Sequence, residues 1–314
     1  MGIIKIIINI ILIIILLNLL IVGGIFIYEN YPRASQEFKA YYTGVEDLSN
    51  YSNISNNAVQ FYPNMRFNHN KLSYFIIDCD DKKISRLEDA FSMITEQTGN
   101  LFFYRTNYEE KADIDVSCSA VNIEKDERVL IAGEGGPSKF FSSNLYSPIL
   151  KGRIILYKES SCKMPITELH EIFHVLGFDH VNNSKIIMYP YVNCKQEIDS
   201  EMISILRQLY SIQAKAELYF FNVSIIKSGI YLNFSVNVNN DGLIDAENVK
   251  LEVYQDNNLV DSFDLKNIDI GVSKSFWVGN LRLKSISADK ISLKIITESE
   301  EYDKENNIIE TKAS

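Results

Sequence analysis

The chain has 314 residues and carries 31 basic against 41 acidic side chains, which gives a formal net charge of −10. This acidic balance argues against nucleic acid as a partner, and a content of 46% hydrophobic residues excludes a mostly disordered chain. At ~150 residues per domain, the length predicts two domains.

The N-terminus contains an uncharged, mostly Ile and Leu run over residues 6–27, preceded by Lys5. As a helix this run would span ~33 Å, enough to cross a bilayer. Because it is apolar on every face, we expect one N-terminal transmembrane helix rather than a buried core helix. A cleaved signal peptide is the alternative, although its apolar region is usually shorter.

The position of Lys5 predicts the orientation of this segment. Positive residues tend to stay in the cytoplasm, so we expect the chain after Tyr28 to lie outside it, as a single-pass protein with its N-terminus inside. If the segment is cleaved, the protein is secreted instead.

The sequence divides into four parts. Residues 1–28 are the membrane anchor or signal segment, and residues 29–60, rich in Tyr, Asn and Ser without a sustained period, are typical of a stalk or linker. Residues 61–213 mix strand and helix patterns, which indicates an α/β (α+β) domain. Residues 214–314 carry short alternating runs at near-regular spacing, which predict an all-β, Ig-like sandwich.

The predicted elements of the α/β domain begin with a strand over residues 72–77. A helix follows, which Ser85 would cap together with Glu88. Further strands are predicted over residues 101–104, 114–118, 129–132 and 153–157. In the C-terminal domain, strands are predicted over residues 218–226, 230–238, 249–254, 259–265, 275–278 and 291–296.

Three of the four histidines of the chain, His170, His174 and His180, fall within eleven residues. On a helix, residues four apart share a face, so His170 and His174 can direct both imidazoles at one metal with Glu171 beside them. Gly177 can adopt the positive φ that ends the helix, which lets His180 supply a third nitrogen. Three neutral imidazoles leave the fourth tetrahedral position for water, as in catalytic zinc sites. Glu171 is then the candidate general base for a hydrolysis.

The pattern HExxHxxGxxH of residues 170–180, followed by Met-Tyr-Pro from Met188, resembles the metzincin zinc peptidases and most closely their matrixin branch. The resemblance extends over approximately residues 65–210. It implies one catalytic Zn²⁺ and a hydrophobic floor beneath it formed by Met188. It also implies that Pro190 and Tyr191 begin the wall of the primed-side specificity pocket.

The same resemblance implies an edge strand that aligns the substrate backbone by strand addition. Residues 129–134 are the candidate for this strand.

Four cysteines in an outward-facing chain predict two disulfides, with three connectivities to choose from. Cys162 and Cys194 bracket the zinc segment, and we expect them to pair. Cys79 and Cys118 end two strands that are neighbours in the metzincin sheet, so the resemblance implies the second pair. A free thiol that acts as a latency switch is the alternative.

In the C-terminal domain, residues 239–249, Gly271 and the closing run of residues 305–307 resemble the CARDB family of Ig-like surface domains. This resemblance implies a spacer or adhesion module that could bind a surface partner. Asp303 and Glu305 could contribute to a Ca²⁺ site, but a solvated acidic tail is the favoured interpretation.

Together these patterns predict a membrane-anchored, extracytoplasmic zinc endopeptidase that cuts protein or peptide substrates with a zinc-bound water activated by Glu171. The alternative is a cell-surface adhesion or scaffold protein whose metzincin domain is latent or non-catalytic. Glu171 favours the enzyme, because a purely structural zinc site would not need that carboxylate. A zinc amidase that acts on cell-wall peptide is a third hypothesis, which only a substrate panel separates.

Overall fold

The computed structural model describes residues 16–21, 60–119, 124–126, 129–130, 132–141, 143, 145–157, 161–287 and 289–312. Most of the predicted anchor and stalk lies outside the described residues, although residues 16–21 are helical. No helix of the described part is both long and apolar enough to cross a membrane. Two compact units divide between Ala214 and Lys215.

The first unit is built on a six-stranded sheet. The six strands of this sheet are β1 (Met65–Phe67), β2 (Lys71–Ile77), β3 (Phe102–Arg105), β4 (Ile114–Cys118), β7 (Gly133–Phe140) and β8 (Ser147–Leu156). Between β4 and β7 in the chain, β5 (Glu124–Asp126) and β6 (Val129–Leu130) form a separate short pair. The spatial order β1-β8-β4-β2-β3 is parallel throughout, and β7 adds to β8 antiparallel. This mixed α/β unit agrees with the fold predicted for residues 61–213.

Helix α1 (Asp81–Thr98) follows β2 directly. Its N-cap is Asp80, whose carboxylate accepts a hydrogen bond from the Lys83 N–H at 2.9 Å. The prediction of Ser85 as the cap was therefore wrong, because Asp80 satisfies the free N–H groups one turn earlier. At its other end the helix stops at Gly99, which has φ +72°.

Two further helices complete the first unit. Every residue of α2 (Ile166–Val175) is buried, and the helix packs against α1, β7 and β8. Helix α3 (Ser200–Ser211) is capped by the Asp199 carboxylate and packs against α1 through an apolar stripe. Because α2 is enclosed on all sides, its polar side chains need partners inside the protein.

Arg86 of α1 provides one such partner at the start of α2. Its Nε lies 2.8 Å from the Glu168 carboxylate, and both side chains are largely buried. The same guanidinium donates to the carbonyl oxygens of Cys162 and Met164. One cation therefore fixes both the first turn of α2 and the chain that enters it.

Both predicted disulfides are present. Cys79–Cys118 joins the ends of the adjacent strands β2 and β4, and Cys162–Cys194 joins the chain before α2 to the chain after residue 191. These pairs account for all four cysteines of the chain, so the alternative of a free thiol is wrong.

The second unit consists of two antiparallel sheets, as predicted. Its strands are β9 (Leu218–Ser228), β10 (Tyr231–Asn240), β11 (Ala246–Gln255), β12 (Asn258–Ile268), β13 (Ser273–Arg282), β14 (Lys290–Ile296) and β15 (Ile308–Lys312). The sheet orders are β13-β10-β9 and β12-β11-β14-β15. Their inward residues form a separate hydrophobic core, with Phe234, Val236, Leu251 and Leu293 at its centre.

Strand β15 has no counterpart among the predicted strands, and residues 302–307, which include Asp303 and Glu305, were expected to form a solvated acidic tail. These residues in fact form an ordered turn around Glu217, whose carboxylate accepts hydrogen bonds from the Asp303 N–H at 2.9 Å and the Asn306 side chain at 2.6 Å. The turn returns the chain to β14, where β15 pairs.

We predict that the double substitution Cys162→Ser/Cys194→Ser lowers the free energy of unfolding by roughly 3 to 4 kcal/mol, because the disulfide closes a loop of this length in the unfolded chain. Urea unfolding followed by circular dichroism measures the loss. The comparison variant is Cys79→Ser/Cys118→Ser. It should lose a similar free energy of unfolding, because its loop of 39 residues is close in length to the 32 of the first pair. An unchanged free energy of unfolding in both double variants would contradict this account.

Candidate metal centre

The three imidazoles of the zinc pattern converge on one point. The Nε2 atom of His174 lies 3.1 Å from that of His170 and 3.1 Å from that of His180, and the last two are 3.3 Å apart. A tetrahedral zinc with Zn–N bonds of about 2.0–2.1 Å needs nitrogens about 3.3 Å apart. The three histidines therefore fit a zinc ion bound through Nε2.

Two backbone carbonyls hold the rings of the helix histidines in place. His170 Nδ1 lies 2.5 Å from the Ile187 oxygen, and His174 Nδ1 lies 2.8 Å from the Phe178 oxygen. Since a carbonyl only accepts, each Nδ1 must carry the proton, which leaves Nε2 with its lone pair directed at the common point.

Burial keeps these imidazoles neutral. It lowers the pKa of His170 to about 4, and burial together with the neighbouring His170 lowers the pKa of His180 to about 3. Burial also lowers the pKa of His174 well below its ordinary value. Neutral rings are the form that binds a metal.

The chain turns at Gly177 to bring His180 to the site. Gly177 has φ +93°, and an added Cβ would lie 2.8 Å from Met65 Cγ, so glycine is required for both conformation and space. Phe61 reinforces this turn. Its N–H donates to the Gly177 oxygen at 2.8 Å, and its ring stacks on His174 with the centroids 5.8 Å apart.

Glu171 is fully buried beside the three histidines, under strand β7. Two glycines of β7 allow this approach. A Cβ on Gly133 would lie 2.8 Å from Glu171 Cγ and Oε1, and a Cβ on Gly135 would overlap the Glu171 main chain. The close packing of strand on helix therefore fixes where the Glu171 carboxylate can be.

Strand β7 is an edge strand of this sheet, since among the described strands it pairs only with β8. Pro137 lies within it and fits an edge position because proline has no N–H to donate. The predicted edge strand over residues 129–134 was therefore misplaced. Residues 129–130 belong to the separate β5-β6 pair, and only Gly133 and Glu134 overlap with β7.

The turn after His180 contains the predicted floor and pocket residues. Met188 is fully buried, and its carbonyl oxygen accepts a hydrogen bond from the Val181 N–H at 3.0 Å. Pro190 is half-buried and Tyr191 is 38% exposed, with its carbonyl oxygen bound to the Gln196 side chain. Because Ile187 holds His170, the turn that carries Met188 also orients a histidine of the site.

The sequence analysis missed several residues around the site. Arg86 and Glu168 anchor the start of α2, and Phe61 packs on His174. Tyr157, the residue after β8, lies near the carboxylates of Glu134 and Glu171. Burial and the Glu134 carboxylate raise the pKa of Tyr157 to about 12, so it stays protonated. None of these belongs to a local motif. Only the unusual burial of a charged pair could have indicated Arg86 and Glu168, and burial is not visible in the sequence.

The possible Ca²⁺ site at Asp303 and Glu305 finds no support among the described residues. Within the described ranges, only His170, His174 and His180 form a group of three or more potential ligands with atoms within 4.8 Å of one another. Asp303 and Glu305 are exposed, and the Asp303 carboxylate accepts a hydrogen bond from the Glu305 N–H.

Comparison with known families agrees with the two units. Residues 66–211 match the family model described as Matrixin, and residues 220–312 match the model described as CARDB. No curated protein matches the chain significantly.

Similarity to solved structures is distant. The CARDB domain of a Pyrococcus furiosus protein, in complex with di-metal ions, is 16% identical over 32% of this chain and 88% of its own, with a TM-score of 0.27. Catalytically inactive OgpA from Akkermansia muciniphila, in complex with an O-glycopeptide substrate, is 11% identical over 79% of this chain and 94% of its own, with a TM-score of 0.22. Similarity at this level carries no information about substrate or site.

The two glycines of β7 give a testable contrast. We predict that Gly135→Ala lowers the free energy of unfolding by about 1–3 kcal/mol, because its Cβ meets the main chain of α2 and the strand must move away. Gly133→Ala should cost less, since its Cβ meets only side-chain atoms of Glu171, which can shift at a lower cost than the main chain of α2. Urea unfolding of both variants measures the difference. Equal losses would show that β7 does not lie as close to α2 as described.

Proposed function

Because residues 66–211 form a matrixin domain and residues 220–312 a CARDB domain, we propose that this protein is a zinc-dependent endopeptidase that hydrolyses peptide bonds of proteins. One observation carries the proposal. The three Nε2 atoms of His170, His174 and His180 lie 3.1–3.3 Å apart, with the buried Glu171 next to them.

His170, His174 and His180 would hold the zinc ion. When bound, zinc lowers the pKa of water and polarises a carbonyl group, which is the chemistry that peptide hydrolysis needs. The Nδ1 hydrogen bonds to Ile187 and Phe178 keep two of the rings oriented, so that little reorganisation is required on binding.

Glu171 would move the proton. It lies one residue after His170 on α2, so its side chain leaves the helix about 100° from that of His170 and lies against strand β7, at the side of the histidines. The carboxylate takes a proton from the attacking water and then delivers it to the nitrogen of the leaving amine. The glycines of β7 restrict its position, which keeps the proton acceptor close to the scissile bond.

Strand β7 would bind the substrate backbone. An extended peptide can add to an edge strand through main-chain hydrogen bonds, and the free edge of β7 lies directly above the helix that carries Glu171. Met188 would form the apolar floor beneath the metal. Pro190 and Tyr191 would then begin the pocket that selects a substrate side chain.

The test compares the parent protein with Glu171→Gln, which keeps the size and removes the proton acceptor. We predict that both proteins bind about one zinc per chain and that the variant loses hydrolysis by a factor of ~10² or more. Zinc is measured by elemental analysis and cleavage by mass spectrometry of a mixed peptide library. His174→Ala is the control that should lose both zinc and cleavage.

The outcomes separate the competing hypotheses. Zinc binding without cleavage in the parent would favour the adhesion or scaffold protein with a latent or non-catalytic domain. Absence of zinc in the parent would overturn the proposal. Cleavage sites from the library would define the side chain that the pocket of Tyr191 accepts.

We further propose that residues 6–27 anchor the protein in a membrane with the catalytic unit outside the cytoplasm. The support is the length and apolar character of that run and the position of Lys5 before it. Secretion after cleavage of the segment is the competing outcome.

We predict that the full chain stays in the membrane fraction after alkaline carbonate extraction, and that its intact mass retains residues 1–28. Protease added to intact cells should digest the catalytic unit. A matched variant, Ile14→Lys, places a charge in the apolar run and should reduce membrane retention, because a lysine at the centre of a spanning helix costs about 2.5–3.5 kcal/mol. A mature protein that lacks the segment would instead identify a cleaved signal.

A further inference from the structure

The outer surface of the three-stranded sheet in the second unit has an unusual composition. Leu232, Phe234, Val236 and Val238 of β10 point into the core, so the alternate residues of β10 and their register partners point outward. We call this surface the β10 face. Its members are Tyr219, Phe221, Ser224, Ile226, Ser228, Tyr231, Asn233, Ser235, Asn237, Asn239, Ser273, Ser275, Trp277 and Arg282.

The β10 face is almost free of charge. Arg282, at the end of β13, is its single ionisable side chain apart from the phenols of Tyr219 and Tyr231. At the other end of the face, the Tyr219 hydroxyl donates to the buried Asp241 carboxylate at 2.9 Å. The outer face of the opposite sheet shows that this is not a general property of the unit. That face carries seven charged side chains: Lys250, Glu252, Asp264, Lys290, Lys294, Glu310 and Lys312. A sheet surface that faces only solvent normally carries many charged side chains, as the outer face of the opposite sheet does. The β10 face lacks them and is therefore suited to contact an uncharged partner.

Trp277 is the most exposed large side chain of this face, at 65%. It lies over Gly279, since a Cβ on that glycine would lie 2.5 Å from Trp277 Cη2 and 2.8 Å from Cζ2. Because one side of the six-membered ring covers the glycine, the other side is presented to solvent. An aromatic ring in this position is a platform on which a flat ligand can stack.

A row of amides and a hydroxyl runs next to this platform. Ser235 is paired with Trp277 across the sheet, and Asn233 and Asn237 lie on either side of it along β10. Asn233 is held in place by the Asn280 N–H, which donates to its Oδ1 at 2.8 Å. Amides and hydroxyls in a row can both donate to and accept from a ligand that carries many hydroxyl groups.

We propose that the β10 face binds a neutral polysaccharide. A pyranose ring has an apolar C–H face that would stack on Trp277, and hydroxyl groups at its rim that would bond to Asn233, Ser235 and Asn237. The face has a single peripheral cation, Arg282, and the carboxylate next to the face, Asp241, is buried and bound to Tyr219, so a charged ligand is disfavoured. An apolar protein surface fits poorly, because it would bury the row of amides without partners.

Trp277 is the only tryptophan of the chain, so its fluorescence reports on this face alone. The full chain is produced in a host cytoplasm that does not glycosylate it, and it is kept in a detergent without a sugar head group. Soluble glucan, mannan and xylan are titrated, with polygalacturonate as the acidic comparison. We expect a saturable change in Trp277 emission with at least one neutral polysaccharide and none with polygalacturonate.

Affinity electrophoresis in gels containing the responding polysaccharide tests the residues. Trp277→Ala should raise the dissociation constant by at least about tenfold, the loss expected for one stacking contact. Gly279→Ala should also weaken binding, because the added Cβ displaces the indole while the rest of the sheet remains. Ile308→Ala removes a side chain that is 42% exposed on the opposite sheet and is the matched control with unchanged binding.

Three results would overturn the proposal. These are an unchanged Trp277 emission with every neutral polysaccharide, equal binding by the parent and Trp277→Ala, and a dimer in sedimentation experiments that Trp277→Ala abolishes. The last result would show that the face is covered by a second copy of the chain. Peptide hydrolysis is measured separately, so failure here leaves the proposed peptidase untouched.

Discussion

The metal centre depends on hydrogen bonds between imidazole Nδ1 atoms and two main-chain carbonyl groups. Ile187 accepts from His170 and Phe178 accepts from His174, and both carbonyls lie after α2 in the chain. The rings on the helix are therefore oriented by the segment that leaves it. This segment also contains Gly177, which turns the chain, and Met188, which is fully buried. A substitution that moves this segment would therefore reorient the imidazoles of His170 and His174, even though all three histidines are kept.

A second constraint comes from the sheet. Strand β7 approaches α2 so closely that Gly133 and Gly135 have no room for a side chain. The same strand has a free edge among the described strands, so the element that limits the position of Glu171 is also the one proposed to bind a peptide backbone. The distance between β7 and α2 therefore determines both where the β7 main chain lies and where the Glu171 carboxylate lies.

Much of the site could be predicted from the sequence because its spacing is local. Residues 170 to 180 follow helix periodicity and one glycine turn, and these need no distant partner to be recognised. The failures have non-local causes. Ser85 has suitable chemistry for a cap, but the helix begins one turn earlier, where the Asp80 carboxylate accepts from the Lys83 N–H. The edge strand was misplaced because its identity depends on pairing with β8. Arg86 and Glu168 are 82 residues apart, and no pattern connects them.

The second unit shows the same limit more clearly. Alternation with a period of two predicts that one side of each strand is buried, but it does not reveal which strands become neighbours. Pairing places Trp277 beside Ser235, and it places Glu252 between Lys294 and Ser262. Two sheets with the same alternation therefore acquire one neutral and one charged outer face. Since the cores of the two units are made of different residues, a substitution on the neutral face can change binding there without altering the histidines.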